Sequence, residues 1–237
     1  PAEHTFTGNV GFVSNYIFRG ISQSQGKPAL QGGFDYAHSS GLYAGTWASN
    51  VAWVRDGGYK TGSSLEVDLY AGYKGSIMED LSYDFGVLHY YYPGDVQPMM
   101  ANTNSTEIYA ALTWKFITLK NSYTVSPNLF GWTSLYGAQP GEKSRGSNYI
   151  DLTATYDLGE GWGVTGHVGH QTVKNASGAN YTDWKLGVTK DVGFGVVGLS
   201  YTDTNAKTCG DTTIAAYCWN TKDVSKAAAV LSFSKTF

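Results

Sequence analysis

Charged residues are scarce in this sequence. Asp, Glu, Lys and Arg make up 15% of its 237 residues, whereas soluble domains contain about 25%. No run of the chain approaches the ~18 consecutive apolar residues that a membrane-spanning helix needs. Helices and closed barrels are the only structures that satisfy their backbone hydrogen bonds in lipid. If this chain crosses a membrane, it must therefore cross it with β-strands.

Cysteine and basic charge are also limited. The two cysteines, Cys209 and Cys218, lie close together in a polar stretch. In an oxidising compartment we predict that they form a disulfide worth roughly 2–3 kcal/mol. Two cysteines without histidines at matching spacing do not form a zinc signature, so we predict no metal site and no cofactor. A net charge of −3 lacks the basic footprint of a nucleic-acid-binding protein, so we expect no nucleic-acid partner.

The chain is instead rich in alternating patterns, most clearly over residues 226–237, KAAAVLSFSKTF. One face of this stretch is apolar and the other is small or polar apart from Val230, and the apolar positions are Ala227, Ala229, Leu231 and Phe233. A period of two predicts a β-strand with one apolar face. Because termini of soluble domains usually fray into water, the strand looks like the closing strand of a bacterial outer-membrane β-barrel that ends on Phe237. The alternative is an edge strand of a soluble β-sandwich.

The same alternation recurs along the whole chain and predicts twelve strands of about ten to twelve residues. Soluble strands average ~5–6 residues, whereas a tilted membrane-spanning strand needs ~9–11. Short turns near residues 40, 78, 117, 160 and 192 alternate with longer polar loops near residues 23, 58, 98, 136, 177 and 213. Short turns on one side and long loops on the other are typical of outer-membrane barrels.

We therefore predict an all-β fold. It is a twelve-stranded antiparallel transmembrane β-barrel with short periplasmic turns and longer extracellular loops, in a single domain over residues 1–237. The first strand is expected to run from Phe6 to Arg19-Gly20, and the third from Leu42 to Trp53. The third strand is the least clearly defined by its pattern.

Aromatic residues, including 18 Tyr and 7 Trp, support this interpretation. Tyr and Trp favour the membrane–water interface because their rings are amphipathic. The residues expected at the rim with the short turns are Tyr36, Tyr73, Tyr83, Phe116, Tyr156, Trp162, Phe194 and Phe237. The residues expected at the opposite rim are Tyr16, Phe18, Trp53, Tyr91, Trp184 and Tyr201. A soluble sandwich would place its aromatics at mid-strand instead.

The stretch from Gly11 to Asn50, with the adjoining Val51, resembles the opening of the TorF-like porin family, also known as Gcw_chp proteins. The residues that carry the resemblance are Ser14, Tyr16, Phe18, Arg19, Gly20, Ser22, Gln23, Ser24, Gly45, Trp47, Ser49, Asn50 and Val51. The resemblance implies an outer-membrane β-barrel of porin type, but the family label names no substrate. It also implies the bacterial outer membrane as the location. No signal peptide is visible at Pro1-Ala2-Glu3-His4, so we expect the numbering to begin at the mature terminus after removal of a signal peptide.

Two patterns that suggest other chemistry are better explained as parts of strands. GxGxxG occurs twice, at Gly161, Gly163 and Gly166 and at Gly193, Gly195 and Gly198. Strand-forming residues follow both patterns, whereas a dinucleotide site needs a helix there. His167 and His170 are three residues apart and point to opposite faces of a strand, so we expect only His167 to face the interior. No serine–histidine–acid candidate for a hydrolase stands out, and we predict that the protein is not an enzyme.

If the apolar faces meet lipid, the polar faces line the interior. The predicted pore-lining residues are Arg19, Asp35, Glu66, Asp68, Asp84, Tyr90, Glu107, Lys115, Lys120, Asp151, His167, Gln171, Asp183 and Lys185. Asp157 and Lys226 fall on the same faces. Arg19 is expected on the wall at the outer end of the first strand, paired with Asp35 or Glu66. The loops around Trp132 and around the cysteines are expected to reach the mouth of the barrel.

Rings of charge set the solute preference of a channel, and here both signs are present. We therefore predict a weakly selective channel for passive diffusion of small polar solutes, with outer-membrane lipid and lipopolysaccharide around it. The alternatives are a closed structural or partner-docking barrel without transport, and a barrel-embedded hydrolase.

Overall fold

A computed structural model describes residues 2–237 and contains a closed antiparallel barrel of twelve strands. The strands contain 8–14 residues, long enough to span a membrane when tilted. In chain order the strands are β1 His4–Val13, β2 Ala29–His38, β3 Leu42–Asn50, β4 Leu65–Met78, β5 Leu81–Tyr91, β6 Ser105–Trp114, β7 Ile117–Thr124, β8 Asn148–Gly159, β9 Trp162–Thr172, β10 Tyr181–Asp191, β11 Val196–Thr204 and β12 Ala228–Thr236. The predicted fold class is confirmed.

The barrel closes where β1 pairs with β12. The register runs from Asn9 opposite Thr236 to Val13 opposite Ser232. Gly8 and Phe237 extend this pair through two backbone hydrogen bonds of 3.2 and 2.8 Å. Each of the other strands pairs with its neighbours in sequence, so no barrel strand is left with an open edge.

The apolar faces of the strands point outward, as the alternation predicts. Phe6 and Leu231, at outward positions, are 76% and 58% exposed. Glu66 and Asp183, at inward positions of other strands, are buried in the interior. An apolar exterior around a polar interior is the arrangement of a transmembrane β-barrel. Among residues 2–237 there is no helix long and apolar enough to cross a membrane.

Connections of different length separate the two ends of the barrel. One end, called the turn end here, carries the short turns 39–41, 79–80, 115–116, 160–161 and 192–195. The other, the loop end, carries the segments 14–28, 51–64, 92–104, 125–147, 173–180 and 205–227. These loops contain helix α1 Trp53–Asp56, a 3-10 turn Ser177–Ala179 and three short strand pairs, Ile17–Phe18 with Ile21–Ser22, Lys60–Thr61 with Asp95–Val96, and Cys218–Trp219 with Lys222–Asp223. The predicted disulfide between Cys209 and Cys218 is present.

Two strand boundaries differ from the prediction. The first strand ends at Val13 and the third at Asn50. Consequently Tyr16, Phe18 and Trp53 do not belong to an outer aromatic belt. Tyr16 and Trp53 are buried, and the ring of Phe18 packs against those of Tyr90 and Phe130. The outward aromatics Tyr91, Trp184 and Tyr201 at the loop end and Tyr156, Trp162, Phe194 and Phe237 at the turn end are exposed as expected.

Candidate functional site

The segment that follows β1 folds into the barrel instead of extending the wall. Ile17–Phe18 pairs with Ile21–Ser22 across the two-residue turn Arg19-Gly20. Both turn residues have positive φ, 48° and 78°, as a type I′ hairpin turn requires. We call residues 16–23 the lumen hairpin. A Cβ on Gly20 would lie 2.6 Å from the Cβ of Asp183 on β10, so glycine is required both by the conformation and by the close approach to the wall.

Arg19 at the tip of the lumen hairpin binds the opposite wall. Its two terminal nitrogens donate hydrogen bonds of 3.0 and 2.9 Å to the Glu107 carboxylate, and one also donates to Gln171 Oε1 at 3.1 Å. The guanidinium lies 4.4 Å from the ring centre of Tyr149. Side-chain exposure is only 8% for Arg19 and 1% for Glu107. A bidentate, stacked and nearly dry pair is of the strong kind.

This contact corrects the predicted role of Arg19. The prediction placed Arg19 in the barrel wall and paired it with Asp35 or Glu66. Its partner is Glu107, because the chain turns inward after Val13 and carries Arg19 across the lumen. A non-glycine residue at φ 48° is uncommon, and the three polar and aromatic contacts of its side chain offset the backbone cost.

Tyrosine hydroxyls bind two buried carboxylates near the lumen hairpin, whereas Oδ1 of the neighbouring buried Asp68 has no hydrogen-bond partner in the described structure. Glu66 accepts hydrogen bonds from Tyr16 at 2.8 Å and from Tyr92 at 2.7 Å. Tyr90 donates to Glu107 at 3.1 Å. The lumen hairpin therefore meets the wall at two acidic points, Glu66 through Tyr16 and Glu107 through Arg19.

A cavity of about 650 Å³ lies in the lumen against the hairpin. Its charged lining residues are Arg19, Lys120, Asp151, His167, Asp183 and Lys185. Asp183 accepts a hydrogen bond from Tyr149 at 2.7 Å and lies 3.0 Å from His167 Nε2. Neither Lys120 nor Lys185 forms an ion pair within residues 2–237, and Lys120 lies 4.4 Å from the Tyr109 ring centre. The cavity thus has a mixed lining, with apolar and aromatic side chains beside these six charged or titratable ones, and its polar groups can hold water and small polar molecules.

Towards the turn end, more aspartate–tyrosine pairs line the interior. Tyr70 donates to Asp35 at 2.5 Å and Tyr43 donates to Asp84 at 2.6 Å. The hydroxyls of Tyr43 and Tyr109 also share a hydrogen bond. The lumen acids Asp35, Asp84 and Glu107 lie on β2, β5 and β6. Lys120 and Lys185 lie farther round the barrel, on β7 and β10.

The structure brings most of the predicted pore-lining residues together in the lumen. Those that face it from the strands are Asp35, Glu66, Asp68, Asp84, Tyr90, Glu107, Lys120, Asp151, His167, Gln171, Asp183 and Lys185. Lys115 instead lies exposed in turn 115–116, 3.9 Å from Asp80, because β6 ends at Trp114. Asp157 is exposed near the turn end and Lys226 is exposed in the last loop.

Sequence reasoning missed the tyrosines of this site and the lumen hairpin itself. Tyr16, Tyr92 and Tyr149 contact the buried acids, yet only Tyr90 was predicted among the tyrosines of the lumen. Alternation continues from β1 into the hairpin without a break, so periodicity gives no boundary at Val13. The available signal was the Arg-Gly pair between Ile17-Phe18 and Ile21, which is compatible with a two-residue hairpin turn.

Above the lumen hairpin, the loops pack into a cap, which we call the loop cap. One apolar cluster contains Trp132 and Tyr217 from the two longest loops, as expected for the loops around Trp132 and the disulfide. A second cluster surrounds Trp53, whose ring lies 5.1 Å from that of Tyr92 and 5.5 Å from that of Trp219.

Polar contacts also join loops of the cap. The Lys60 ammonium donates to Tyr92 O at 2.6 Å and to Asn104 Oδ1 at 3.0 Å. Burial lowers the pKa of this lysine. Ser22 of the lumen hairpin donates its backbone N–H to Val224 O at 2.8 Å, so the hairpin is held from above as well as from the wall.

Comparison with known proteins places this architecture in a family. A family model described as "Bacterial protein of unknown function (Gcw_chp)" matches residues 1–237. The chain belongs to the Gcw_chp family. The match confirms the Gcw_chp resemblance but does not test the TorF-like designation. No curated protein matches the sequence.

Solved porins share the fold of this Gcw_chp protein. The KdgM porin matches at 6% identity and a TM-score of 0.54, with 98% of each chain covered. The NanC porin matches at 11% identity and a TM-score of 0.55, also with 98% of each chain covered. The KdgM porin in complex with disordered oligogalacturonate matches at 6% identity and a TM-score of 0.56, with 98% of this chain and 99% of that chain covered. At these identities the similarity shows the fold alone.

Proposed function

We propose that the protein is a channel for passive diffusion of small polar solutes across the bacterial outer membrane. The observation that carries this proposal is a closed barrel with an apolar exterior and a lumen cavity of about 650 Å³ into which charged side chains of both signs project. Such a lumen replaces bulk water for a polar solute, and the concentration gradient drives its flux. No chemical step is required, and we expect none.

The outer membrane suits the surface of this barrel. Exposed aromatics at both rims would lie at the two membrane–water interfaces, in contact with lipid and lipopolysaccharide. The porin fold of KdgM and NanC supports the same location. Outer-membrane export would involve an amino-terminal signal peptide that is removed before assembly.

We propose further that the lumen hairpin is the constriction of the channel. It leaves β1 and crosses the lumen to Glu107 on β6, and Tyr16 binds Glu66 on β4. These contacts join it to the wall through polar groups, with the guanidinium stacked on the Tyr149 ring. Passage would require the hairpin to leave these contacts and the loop cap to loosen. The open state would then be intermittent in the wild-type protein.

A closed barrel that docks a partner is the second candidate, and the loop cap favours it. Buried residues such as Trp53 and Trp132 form apolar clusters at the mouth, and such packing is suited to a permanent lid with an outer surface for a partner. In this alternative the lumen polar groups would serve the stability of the barrel alone.

Reconstitution into planar bilayers separates the two candidates. We expect the purified wild-type barrel to give brief, small conductance steps, and liposomes containing it to swell in small sugars, amino acids, nucleosides and organic acids. Uronate sugars belong in the panel because the KdgM porin has been captured with oligogalacturonate. Channel function fails if inserted barrels pass no ions even when Arg19→Ala has released the lumen hairpin.

We propose weak ionic selectivity because charges of both signs face the cavity. Arg19 is compensated by Glu107, whereas Lys120 and Lys185 face the acids Asp151 and Asp183 without direct ion pairs among the described residues. The reversal potential in a potassium chloride gradient should therefore lie close to zero.

Removing the two lumen lysines should shift the channel towards cations. One charge about 6 Å from an ion in water-like surroundings contributes about 0.7 kcal/mol, or roughly threefold in permeability. The double variant Lys120→Gln with Lys185→Gln should raise the cation-to-anion permeability ratio by about that factor or more. The matched control replaces the exposed loop residues Lys27 and Lys143 with glutamine and should leave the ratio unchanged. Equal shifts in both variants would place the selectivity in the loops.

A further inference from the structure

Two histidines and a glutamate meet at the turn end, away from the lumen. The register of β1 and β2 places His4 directly opposite His38, and their ring centres lie 5.3 Å apart. Glu3 precedes β1, and its Oε1 lies 3.5 Å from His38 Nε2. One donor atom of each of the three residues lies within 4.8 Å of the others. No other group of three such residues is this close within residues 2–237.

A neighbouring hydroxyl engages the Nδ1 atom of each histidine. His4 Nδ1 lies 3.0 Å from the Tyr36 hydroxyl, and His38 Nδ1 lies 2.7 Å from Ser40 Oγ. In both rings Nε2 is then the nitrogen available to a ligand. A metal-binding histidine donates its second ring N–H to a neighbour, which orients the ring and raises its basicity. The Tyr36 hydroxyl can accept from His4 in this way. His38 Nδ1 accepts a hydrogen bond from the backbone N–H of Ser40 at 3.1 Å, so its proton must move from Nε2 to Nδ1, with Ser40 Oγ as the acceptor, when Nε2 binds an ion.

We propose that Glu3, His4 and His38 form a binding site for a divalent transition-metal ion, with Zn²⁺ as the ligand that fits best. Two imidazole nitrogens and one carboxylate are a donor set that zinc uses, with water in the fourth position. Donor atoms bound 2.0–2.1 Å from one ion lie about 3.3 Å apart. Glu3 and His4 are exposed, so their side chains are free to move the remaining distance.

The site would act as a clamp at the edge of the membrane. His4 lies on the same outward face of β1 as Phe6. Tyr36 belongs to the aromatic rim at the turn end. The chain at Glu3 is otherwise joined to the turn after β2 by a backbone hydrogen bond of 2.9 Å from Ser39. An ion held by residues of both segments would tie the start of β1 to the end of β2. Sequence spacing gave no sign of this site, because strand pairing alone brings residues 3–4 next to residue 38.

Zinc titration of the detergent-solubilised barrel tests the proposal. The full chain is purified without a polyhistidine tag, stripped with a chelator and titrated with Zn²⁺ by calorimetry. We expect one equivalent to bind and the apparent melting temperature to rise with added Zn²⁺. His4→Ala and His38→Ala should each weaken binding at least tenfold. Tyr36→Phe and Ser40→Ala should weaken it by about tenfold, since loss of such outer partners typically costs 10–100-fold.

The control is His170→Ala, which removes an exposed histidine on β9 that contacts Thr182. Zinc binding should be unaffected in this variant. Heat-modifiable migration on gels shows for every variant whether the barrel is folded, so a loss of binding in a folded variant supports the site. Absence of a bound equivalent in the wild type, or unchanged binding in the folded double variant of His4 and His38, would overturn the proposal.

Discussion

Replacing Arg19 with alanine is expected to raise the single-channel conductance several-fold. The substitution removes the bidentate hydrogen bonds to Glu107 and the contact with Gln171. Breaking a buried ion pair typically costs about 3–5 kcal/mol, because the remaining charge stays buried and unpaired. Glu107 regains hydration if water replaces the lumen hairpin, so the free energy favours displacement of the hairpin from the lumen. Planar-bilayer recordings of the folded variant measure the change directly.

Arg55→Ala is the matched control for this prediction. Arg55 lies in α1 of the loop cap, and its half-exposed side chain pairs with the adjacent Asp56 at 2.9 Å, outside the lumen hairpin. Pairs with an exposed partner contribute little. Its loss should leave the conductance unchanged. Glu107→Gln is a milder test, since the amide keeps one hydrogen-bond acceptor for Arg19 but loses the charge. A conductance that is the same in wild type and in folded Arg19→Ala would show that the hairpin is not the constriction.

The barrel could be predicted because its determinants are local. Strand length, alternation and the unequal loops each act within one hairpin, and together they gave twelve strands with the correct outward faces. Leu69 and Leu186 point to lipid while Glu66 and Asp183 point inward for the same period-two reason. The disulfide was equally accessible, since Cys209 and Cys218 are close in sequence and have no other thiol partner.

The path of the chain between Val13 and Ala29 could not be predicted in the same way. Its residues alternate as those of β1 do, but the segment leaves the wall because Arg19 and Tyr16 have buried acidic partners on distant strands. Those partners lie 88 and 50 residues away in sequence. Only the closed barrel brings them within reach, so tertiary contacts override the local pattern.

The same limit explains the role of the tyrosines. A tyrosine in a strand of this protein can anchor at the lipid interface, as Tyr156 and Tyr201 do, or donate to a lumen acid, as Tyr70 does. The position of a tyrosine in the two-residue alternation predicts whether it faces lipid or lumen. Its hydrogen-bond partner depends instead on how far neighbouring strands are staggered, which the sequence pattern does not give. Sequence therefore identified lumen-facing acids without identifying the hydroxyls that satisfy them.

Replacing Trp53 with alanine is expected to loosen the loop cap while leaving the barrel folded. Trp53 is 3% exposed and packs against Tyr59, Tyr92 and Trp219. Truncation of a buried tryptophan typically costs about 3–5 kcal/mol, and here the loss falls on loop packing and not on the strand ladder. Limited proteolysis should cleave residues 51–64 much faster than in the wild type, while heat-modifiable migration still reports an intact barrel.

Two variants make the effect of Trp53→Ala specific to the cap and connect it to transport. Trp53→Phe should be mild, because the indole nitrogen is buried without a hydrogen-bond partner in the described structure and the phenyl ring keeps most of the packing. Trp162→Ala, at the turn end and 46% exposed, should not change cleavage of the loops. If the cap is the principal barrier, Trp53→Ala alone will raise conductance and Arg19→Ala will add little. If the lumen hairpin is the constriction, Trp53→Ala will expose the loops to protease with a small change in current, and the larger current will require loss of Arg19.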